Sequence, residues 1–281
     1  PELAKELLAW KERHPFLKDV PSQALQQRLM DLGRALTDAF DKGSQKQFPA
    51  FKKKYRSRES FRYPQGFQIE GRRIFLPKFG WARFFKSREI SGRPKNVTVF
   101  LRGDHWFISV QTEQEVSIPV HPSQTAVGCD FGAVRLVTLS DGSYHMPVNA
   151  YGERQNDLGH AQAKLARMTK RSRNFGKQKR LIRTMHIRIA DKRLDHLQKI
   201  SHDLSKNHAL VALEDLPVAT MTRSAKGTKD APGRNVRQKA GLNRVILDQG
   251  WGTLKRLVEY KKDVVVLLDS ITRMTRAYNT E

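Results

Sequence analysis

The order of the elements predicted after His121 constrains the fold more than any other feature of this 281-residue chain. Three short apolar runs, QTAVGCDFG, AVRLVTLSD and GSYHMP, have the pattern of consecutive strands joined by short turns, one of them at Ser140-Asp141-Gly142. About fifty residues of basic helix follow, with a break at Gly176, and then comes the apolar run HALVALEDL. A helix over residues 242–262 and the β-branched run VVVLLD complete the region. Strands separated by helices in this order predict an α/β fold with a mixed sheet.

The residues before this region divide into two parts. Residues 1–47 predict two helices, because apolar side chains recur at three- and four-residue steps after Pro21. These side chains are Leu25, Leu29, Leu32, Leu36 and Phe40. Residues 48–120 predict several short strands, including a hairpin in NVTVFLRGDHWFISVQTE with its turn at Gly103-Asp104. We therefore expect a helical segment at 1–47, a small antiparallel β-barrel at 48–120 and the α/β domain at 121–281, which together make a mixed α+β chain.

The charge of the chain indicates its partner. The sequence carries 52 Lys and Arg against 28 Asp and Glu, a formal net charge of +24. Such an excess repels itself in a compact fold and is usually retained for a polyanion, so nucleic acid is the expected partner. A basic structural protein, such as a ribosomal one, is the alternative. An acidic membrane surface is disfavoured, because the charge is spread along the chain and not concentrated on one amphipathic helix.

Cysteine content and hydropathy exclude several classes of protein. The single cysteine, Cys129, excludes a disulfide framework and a zinc site built from cysteines. No stretch approaches the roughly 18 uninterrupted apolar residues of a membrane span. The segment PELAKELLAWKERHPFLKDV has no apolar run of the kind found in a secretory signal. We therefore expect a cytoplasmic protein with neither a membrane partner nor bound zinc.

Two basic segments are candidates for contact with nucleic acid. FPAFKKKYRSRESFRYP interleaves cations, which contact phosphates, with flat rings, which stack on bases. Its candidate residues are Lys52, Lys53, Lys54, Tyr55, Arg56 and Arg62. The basic helices that precede HALVALEDL can follow a duplex backbone by charge and shape without reading its sequence. Their candidate residues are Lys164, Arg167, Lys170, Arg171, Arg173, Lys177 and Arg180. A solvated charged loop and a solvated helix face are the alternatives.

Two apolar strands end in a carboxylate. Asp130 ends the run AVGCD, and Glu214 ends the run ALVALE. If the two strands are neighbours, the acids face one another across a short gap and repel unless a proton or a cation lies between them. A pair of Mg²⁺ ions held in this way can activate a water and stabilise the leaving oxygen in phosphodiester cleavage. The alternative is that each acid merely caps a strand end or begins a turn.

At these two segments the sequence resembles the TnpB (OrfB) family, the transposon-encoded proteins related to type V CRISPR effectors. VGCDFGAVRLVTLSDG is similar to the first RuvC motif of that family, and LVALEDLPV is similar to the second. PSQALQQRL, FPAFKKKYRSRESFRYPQ, LPKFGWARF and NVRQKAGLNRVILDQGWGTLKRLVEYK are also typical of the family, so the resemblance covers roughly residues 1–260.

The resemblance implies a fold and a set of partners. The fold is an oligonucleotide-binding-like wedge domain with a helical insertion, followed by an RNase H-like (RuvC) nuclease domain. Asp130 and Glu214 are then the first and second catalytic, Mg²⁺-binding carboxylates of that domain. The implied partners are a guide RNA and a target DNA, in association with the nucleoid of a prokaryote.

The sequence departs from the family at both ends. The family has further elements upstream of residue 1, and after residue 262 it continues into a four-cysteine zinc ribbon and a third RuvC aspartate. RLVEYKKDVVVLLDSITRMTRAYNTE instead resembles the transcription terminator Rho over fewer than thirty residues. The chain lacks the GxxxxGK[ST] loop of nucleotide hydrolysis, so we do not expect that activity from the Rho-like segment. Asp269, at the end of the last predicted strand, and Asp248, on a helix, are further candidates for the third metal ligand.

These features predict an RNA-guided DNA-binding protein with a RuvC-like, Mg²⁺-dependent DNA endonuclease domain. A guide-directed DNA binder without nuclease activity is the alternative. A remnant with only non-specific affinity for nucleic acid is a third possibility.

Overall fold

The chain folds into two compact units, Pro1–Ile118 and Pro119–Glu281. The computed structural model describes residues 2–44, 46–51, 59–115, 117, 120–228, 230–259 and 264–267. Each unit contains both helices and strands, so the mixed α and β content expected from the sequence is confirmed. None of the helices in these residues is long and apolar enough to cross a membrane.

The first unit begins with two helices. Helix α1 spans Glu2–Arg13, a 3-10 turn spans Pro15–Lys18, and α2 spans Ser22–Phe40. Helix α2 begins directly after Pro21, as predicted. Its apolar stripe is only partly buried: Leu25, Leu29 and Leu36 are half-buried, whereas Leu32 and Phe40 are exposed.

Helix α2 is tied to the strands that follow it by one arginine. The Arg28 guanidinium donates to the main-chain carbonyl of Ser60 and, at 3.1 Å, to its hydroxyl oxygen. This polar contact adds to the partial burial of the leucines of the stripe in holding α2.

Among the described residues of the first unit, six strands form two antiparallel sheets. The strands are β1 (Ser60–Tyr63), β2 (Gln68–Glu70), β3 (Arg73–Leu76), β4 (Gly80–Arg83), β5 (Arg93–Arg102) and β6 (His105–Glu113). Their orders are β1-β5-β6 and β2-β3-β4. The predicted hairpin is confirmed, because β5 and β6 pair outward from Arg102 and His105 on either side of Gly103-Asp104.

The predicted barrel is wrong. Among the described strands no ladder joins the two three-stranded sheets, so the barrel is not closed. The sheets instead share a core, to which both contribute residues: Tyr63, Ile74, Leu76, Val97 and Val99. Strands β2, β3 and β4 have only three or four residues each, too few to extend a closed ladder around a barrel.

The second unit is built on a mixed five-stranded sheet. Its strands are β7 (Ala126–Phe131), β8 (Val137–Leu139), β9 (Tyr144–His145), β10 (Leu210–Glu214) and β11 (Val264–Leu267), in the order β11-β10-β7-β8-β9. Strands β7, β10 and β11 are parallel, whereas β8 and β9 are antiparallel to their neighbours. All five strands lie where the sequence predicts them.

Helices cover one face of this sheet. After a 3-10 turn at Gly152–Arg154, the helices are α3 (Gln155–Ala166), α4 (Arg173–Asn207), α5 (Val218–Met221), α6 (Val236–Gln249) and α7 (Trp251–Glu259). Buried residues of β7, β8 and β10 pack against α4, α6 and α7 in one apolar core. The core includes Cys129, which is fully buried, and burial raises the pKa of its thiol to about 12.

Two predicted helix boundaries are wrong. The break in the basic helices lies at residues 167–172, where Arg171 has a left-handed φ of +67°, and not at Gly176. Helix α4 begins earlier because the Ser172 hydroxyl accepts a hydrogen bond from the main-chain N–H of Phe175 at 3.1 Å.

The last predicted helix is two helices. It begins at Val236 and is interrupted at Gly250, where φ is +74° and a Cβ would lie 3.0 Å from Leu197 Cδ1. The left-handed conformation favours glycine there, and a larger residue would also have to displace the Leu197 side chain.

Candidate functional site

Asp130 and Glu214 lie side by side at the ends of two neighbouring parallel strands. The register pairs Leu213 of β10 with Cys129 of β7, so the next residue of each strand brings Glu214 beside Asp130. Cys129 and Leu213 point into the core, and the strand alternation therefore directs both acids to the opposite face of the sheet. The predicted juxtaposition of the two carboxylates is present in the structure.

The two carboxyl groups lie close enough to influence each other. Burial raises the pKa of Glu214, and the charge of Asp130 together with a side-chain hydrogen bond between the two acids raises it further. A hydrogen bond between two carboxyl groups requires a proton, since two carboxylates have only acceptors. The pair is therefore suited to bind a proton or a cation between its oxygens.

Two residues near the pair, Thr138 and Lys255, are not indicated by the sequence alone. Thr138 of β8 stands directly opposite Asp130 on the same face of the sheet. Lys255 of α7 contacts the Asp215 carboxylate at 2.5 Å, immediately after Glu214 in the chain. Thr138 could have been found from strand alternation, but only once the β7–β8 register was known. No local pattern indicates Lys255, because forty residues separate it from Asp215.

Asp248 is used elsewhere in the fold. Its side chain is 6% exposed and accepts hydrogen bonds from the main-chain N–H groups of Tyr151 and Gly152 and from the Arg193 guanidinium. Its oxygens are thus occupied at the 3-10 turn that precedes α3. The hypothesis that Asp248 supplies the third metal ligand is not supported by this placement.

The donors at Asp130 and Glu214 fit a hard divalent cation, because Mg²⁺ prefers carboxylate oxygens. Within the described ranges, no group of three or more His, Cys, Asp or Glu is placed to hold a metal. Asp269 lies outside these ranges, and its assignment stays a prediction.

The basic residues of α3, of the break and of the start of α4 lie at the surface. The exposed ones are Lys164, Arg167, Lys170, Arg171, Arg173, Lys177 and Arg180. No Asp or Glu occurs between Asp157 and Asp191, so this surface is strongly positive. The break with its left-handed Arg171 turns the chain between two basic segments. Of the other candidates, Arg62 is exposed on β1, whereas Lys52, Lys53, Lys54, Tyr55 and Arg56 lie outside the described residues.

Comparison with known proteins identifies the family. The profile of the OrfB_IS605 family, whose description is "Probable transposase", matches residues 109–225, which include both strand-end acids. The chain is 49% identical over 265 residues to the "Putative RNA-guided DNA endonuclease InsQ" of Escherichia coli, covering 93% of this chain and 65% of the relative. The chain belongs to the TnpB (OrfB) family. A "Putative RNA-guided DNA endonuclease" of Streptomyces pristinaespiralis, also similar, is 33% identical over 267 residues, covering 91% of this chain and 61% of the relative.

The chain spans less than two thirds of the length of each of these two relatives of the TnpB family. A shorter similarity links it to transcription termination factor Rho 1 of Ehrlichia chaffeensis, at 42% identity over 97 residues, or 30% of this chain and 21% of Rho. The Rho similarity is therefore longer than the fewer than thirty residues inferred from the sequence.

Proposed function

We propose that this chain is an RNA-guided DNA-binding protein whose second unit is a RuvC-like, Mg²⁺-dependent DNA endonuclease domain. The proposal is supported above all by the juxtaposition of Asp130 and Glu214 at the ends of neighbouring parallel strands. The two family relatives, each named a "Putative RNA-guided DNA endonuclease", point in the same direction.

In this proposal the parts of the chain have separate tasks. The first unit corresponds to a wedge domain with its helical insertion, and the second to an RNase H-like domain. The basic surface of α3 and α4 holds the phosphate backbone of the guide–target duplex, and base pairing with the guide RNA reads the sequence. Asp130 and Glu214 supply the oxygens that hold Mg²⁺ on the open face of the sheet.

Cleavage of a phosphodiester requires a positive charge near the phosphate, which the two acids do not provide. When bound, Mg²⁺ lowers the pKa of a water and stabilises the leaving oxygen of the phosphodiester. Asp130 and Glu214 hold the ion at the sheet edge, and the basic surface holds the scissile strand by its phosphates. Lys255 keeps the Asp215 carboxylate, which follows Glu214, turned towards α7.

A guide-directed DNA binder without nuclease activity is the second candidate. It is favoured by one observation: within the described ranges only two carboxylates meet at the sheet edge, where a complete member of the family has three. Loss of one ligand weakens metal binding while leaving the basic surface intact.

One experiment separates the two candidates. The RNA that copurifies with the chain is sequenced, resynthesised and mixed with protein, Mg²⁺ and DNA complementary to its guide portion. Cleavage that Asp130→Ala abolishes supports the endonuclease. Guide-dependent binding without cleavage, unchanged by Asp130→Ala, supports the silent binder. Salt-sensitive binding that does not depend on the guide contradicts both.

A further inference from the structure

Three aromatic rings of the first unit form an exposed cluster. Phe61 of β1 stacks on Phe79 at 5.8 Å between ring centroids with an interplanar angle of 12°, and it contacts Trp106 of β6 at 6.0 Å. Phe79 is 63% exposed and Trp106 is 56% exposed. Large aromatic rings gain most free energy when buried, so two exposed rings that both contact Phe61 indicate a binding role. We call Phe61, Phe79 and Trp106 the aromatic cluster.

The turn that carries Phe79 is held in a strained and well-anchored conformation. Lys78 has a φ of +71°, which is unfavourable for any residue with a Cβ. The Phe79 N–H donates to the Leu76 carbonyl at 3.0 Å and closes the turn. Beneath it, the fully buried Tyr63 donates its hydroxyl to the Pro77 carbonyl at 3.4 Å and packs edge-on against Phe61. The turn thus presents the Phe79 ring in a fixed orientation.

The charges around the aromatic cluster favour an anionic partner. Residues 59–115 contain ten Lys and Arg against six Asp and Glu. Lys78, which directly precedes Phe79, is exposed. Arg62 is also exposed, but it follows Phe61 on β1 and therefore lies on the opposite face of that strand. Asp104, in the hairpin turn before Trp106, is the acid closest in sequence to that ring. Flat exposed rings among cations are the pattern that binds single-stranded nucleic acid, in which stacking and phosphate contact combine.

We propose that the aromatic cluster stacks on an unpaired base of single-stranded RNA, with Phe79 and Trp106 making the contact. The inference rests on the RNA partner of the proposed function and adds a specific contact to it. RNA is favoured over the target DNA strand, whose bases pair with the guide, because unpaired RNA bases are free to stack on aromatic rings. The displaced DNA strand is the competing ligand, and the test below includes it. Phe61, partly buried in the core beside Tyr63, positions the Phe79 ring from below.

Fluorescence of a labelled RNA tests this contact on the full chain. A single-stranded RNA with one 2-aminopurine is titrated with protein, because stacking on an aromatic ring quenches this base. We expect quenching by the wild type and about tenfold weaker binding by Phe79→Ala and by Trp106→Ala. The dependence of affinity on salt stays the same in both variants, because no phosphate contact is removed. Trp106→Phe, which keeps a ring, restores most of the affinity.

The matched control is Trp81→Ala. Trp81 is 45% exposed but lies outside the cluster, against Phe75 and Arg73. We expect Trp81→Ala to bind the labelled RNA as tightly as the wild type does. The proposal is overturned if Trp81→Ala and Trp106→Ala lose RNA affinity equally. It is also overturned if Phe79→Ala and Trp106→Ala bind RNA as tightly as the wild type does. In both cases the RNA partner of the proposed function is unaffected. Quenching of a DNA strand but not of RNA also overturns the proposal. If the wild type binds no RNA at all, the RNA partner of the proposed function fails as well.

Discussion

The second unit contains two acidic sites that differ in what surrounds their oxygens. Asp248 lies on α6 and accepts hydrogen bonds at the turn that precedes α3. The donors are Tyr151 N–H at 3.0 Å, Gly152 N–H at 3.2 Å and the Arg193 guanidinium at 3.4 Å. At the sheet edge, Asp130 and Glu214 face each other, and the pKa of Glu214 is raised. A carboxylate whose lone pairs are already taken by donors has a structural role. A pair of carboxyl groups that compete for one proton has capacity left for a cation.

The largest effect we expect is on cleavage. Asp130→Ala removes one of the two oxygen donors and lowers Mg²⁺-dependent DNA cleavage by about a thousandfold. Guide-dependent DNA binding stays as in the wild type, measured by gel shift at fixed salt. The matched control is Asp195→Ala, which removes an exposed acid of α4 that pairs with Lys199. Equal loss of cleavage in both variants would show that net charge, and not the site, is responsible.

Asp248 is predicted to stabilise the fold and not to bind metal. We expect Asp248→Ala to lower the free energy of unfolding by about 2 kcal/mol, because it leaves two partly buried N–H groups without their acceptor and removes the ion pair with Arg193. Asp248→Asn recovers part of the loss. Urea denaturation measures the stability, and calorimetric titration with Mg²⁺ measures metal affinity. A loss of Mg²⁺ binding with unchanged stability would contradict the structural role.

The carboxyl pair predicts a dependence of stability on pH. Because the pKa of Glu214 is raised, the native state binds more protons than the unfolded state between the ordinary glutamate pKa and the raised one. The metal-free wild type therefore loses stability as pH rises through this window. Glu214→Gln has no carboxyl group to ionise at this position, so its free energy of unfolding does not fall for this reason as pH rises. Above the window we therefore expect the variant to be more stable than the wild type.

Thermal melting with and without Mg²⁺ measures this difference. We expect Mg²⁺ to raise the melting temperature of the wild type above the window, because a bound ion stabilises the native state that holds it. It has a much smaller effect on Glu214→Gln. Identical pH profiles for the two chains would show that the carboxyl contact does not persist in solution.

The smallest effect concerns the residue beside the pair. Lys255→Met removes the ion pair with Asp215, which is partly exposed, and we expect a loss of about 0.5 kcal/mol in thermal denaturation. Cleavage changes far less than in Asp130→Ala. A loss of cleavage of the same size would make Lys255 part of the site itself.

The strands could be predicted from sequence because their apolar alternation is local. Runs such as AVGCDF and ALVALE indicate β7 and β10, and the acid at the end of each run is visible without coordinates. Their exact pairing could not be predicted, since a shift of one residue would turn Glu214 towards the core. The roles of Asp248 and Lys255 also depend on contacts between segments distant in sequence.

The first unit was less predictable for the same reason. The Gly103-Asp104 hairpin follows from local turn chemistry and is confirmed. Whether the short strands close into a barrel depends on pairing between strands far apart in sequence, and that prediction failed. The aromatic cluster joins a strand residue to residues near two different turns, a proximity that no periodicity in the sequence indicates.

Strand β11 occupies the edge of the second unit's sheet and pairs with β10 from Val264 to Leu267. It lies within the segment that resembles Rho, whereas β10 carries a family motif. A parallel ladder is made by main-chain groups, which every residue except proline possesses. An edge strand of this kind therefore requires little beyond a β-branched run free of proline, while the strands that carry Asp130 and Glu214 lie further inside the sheet.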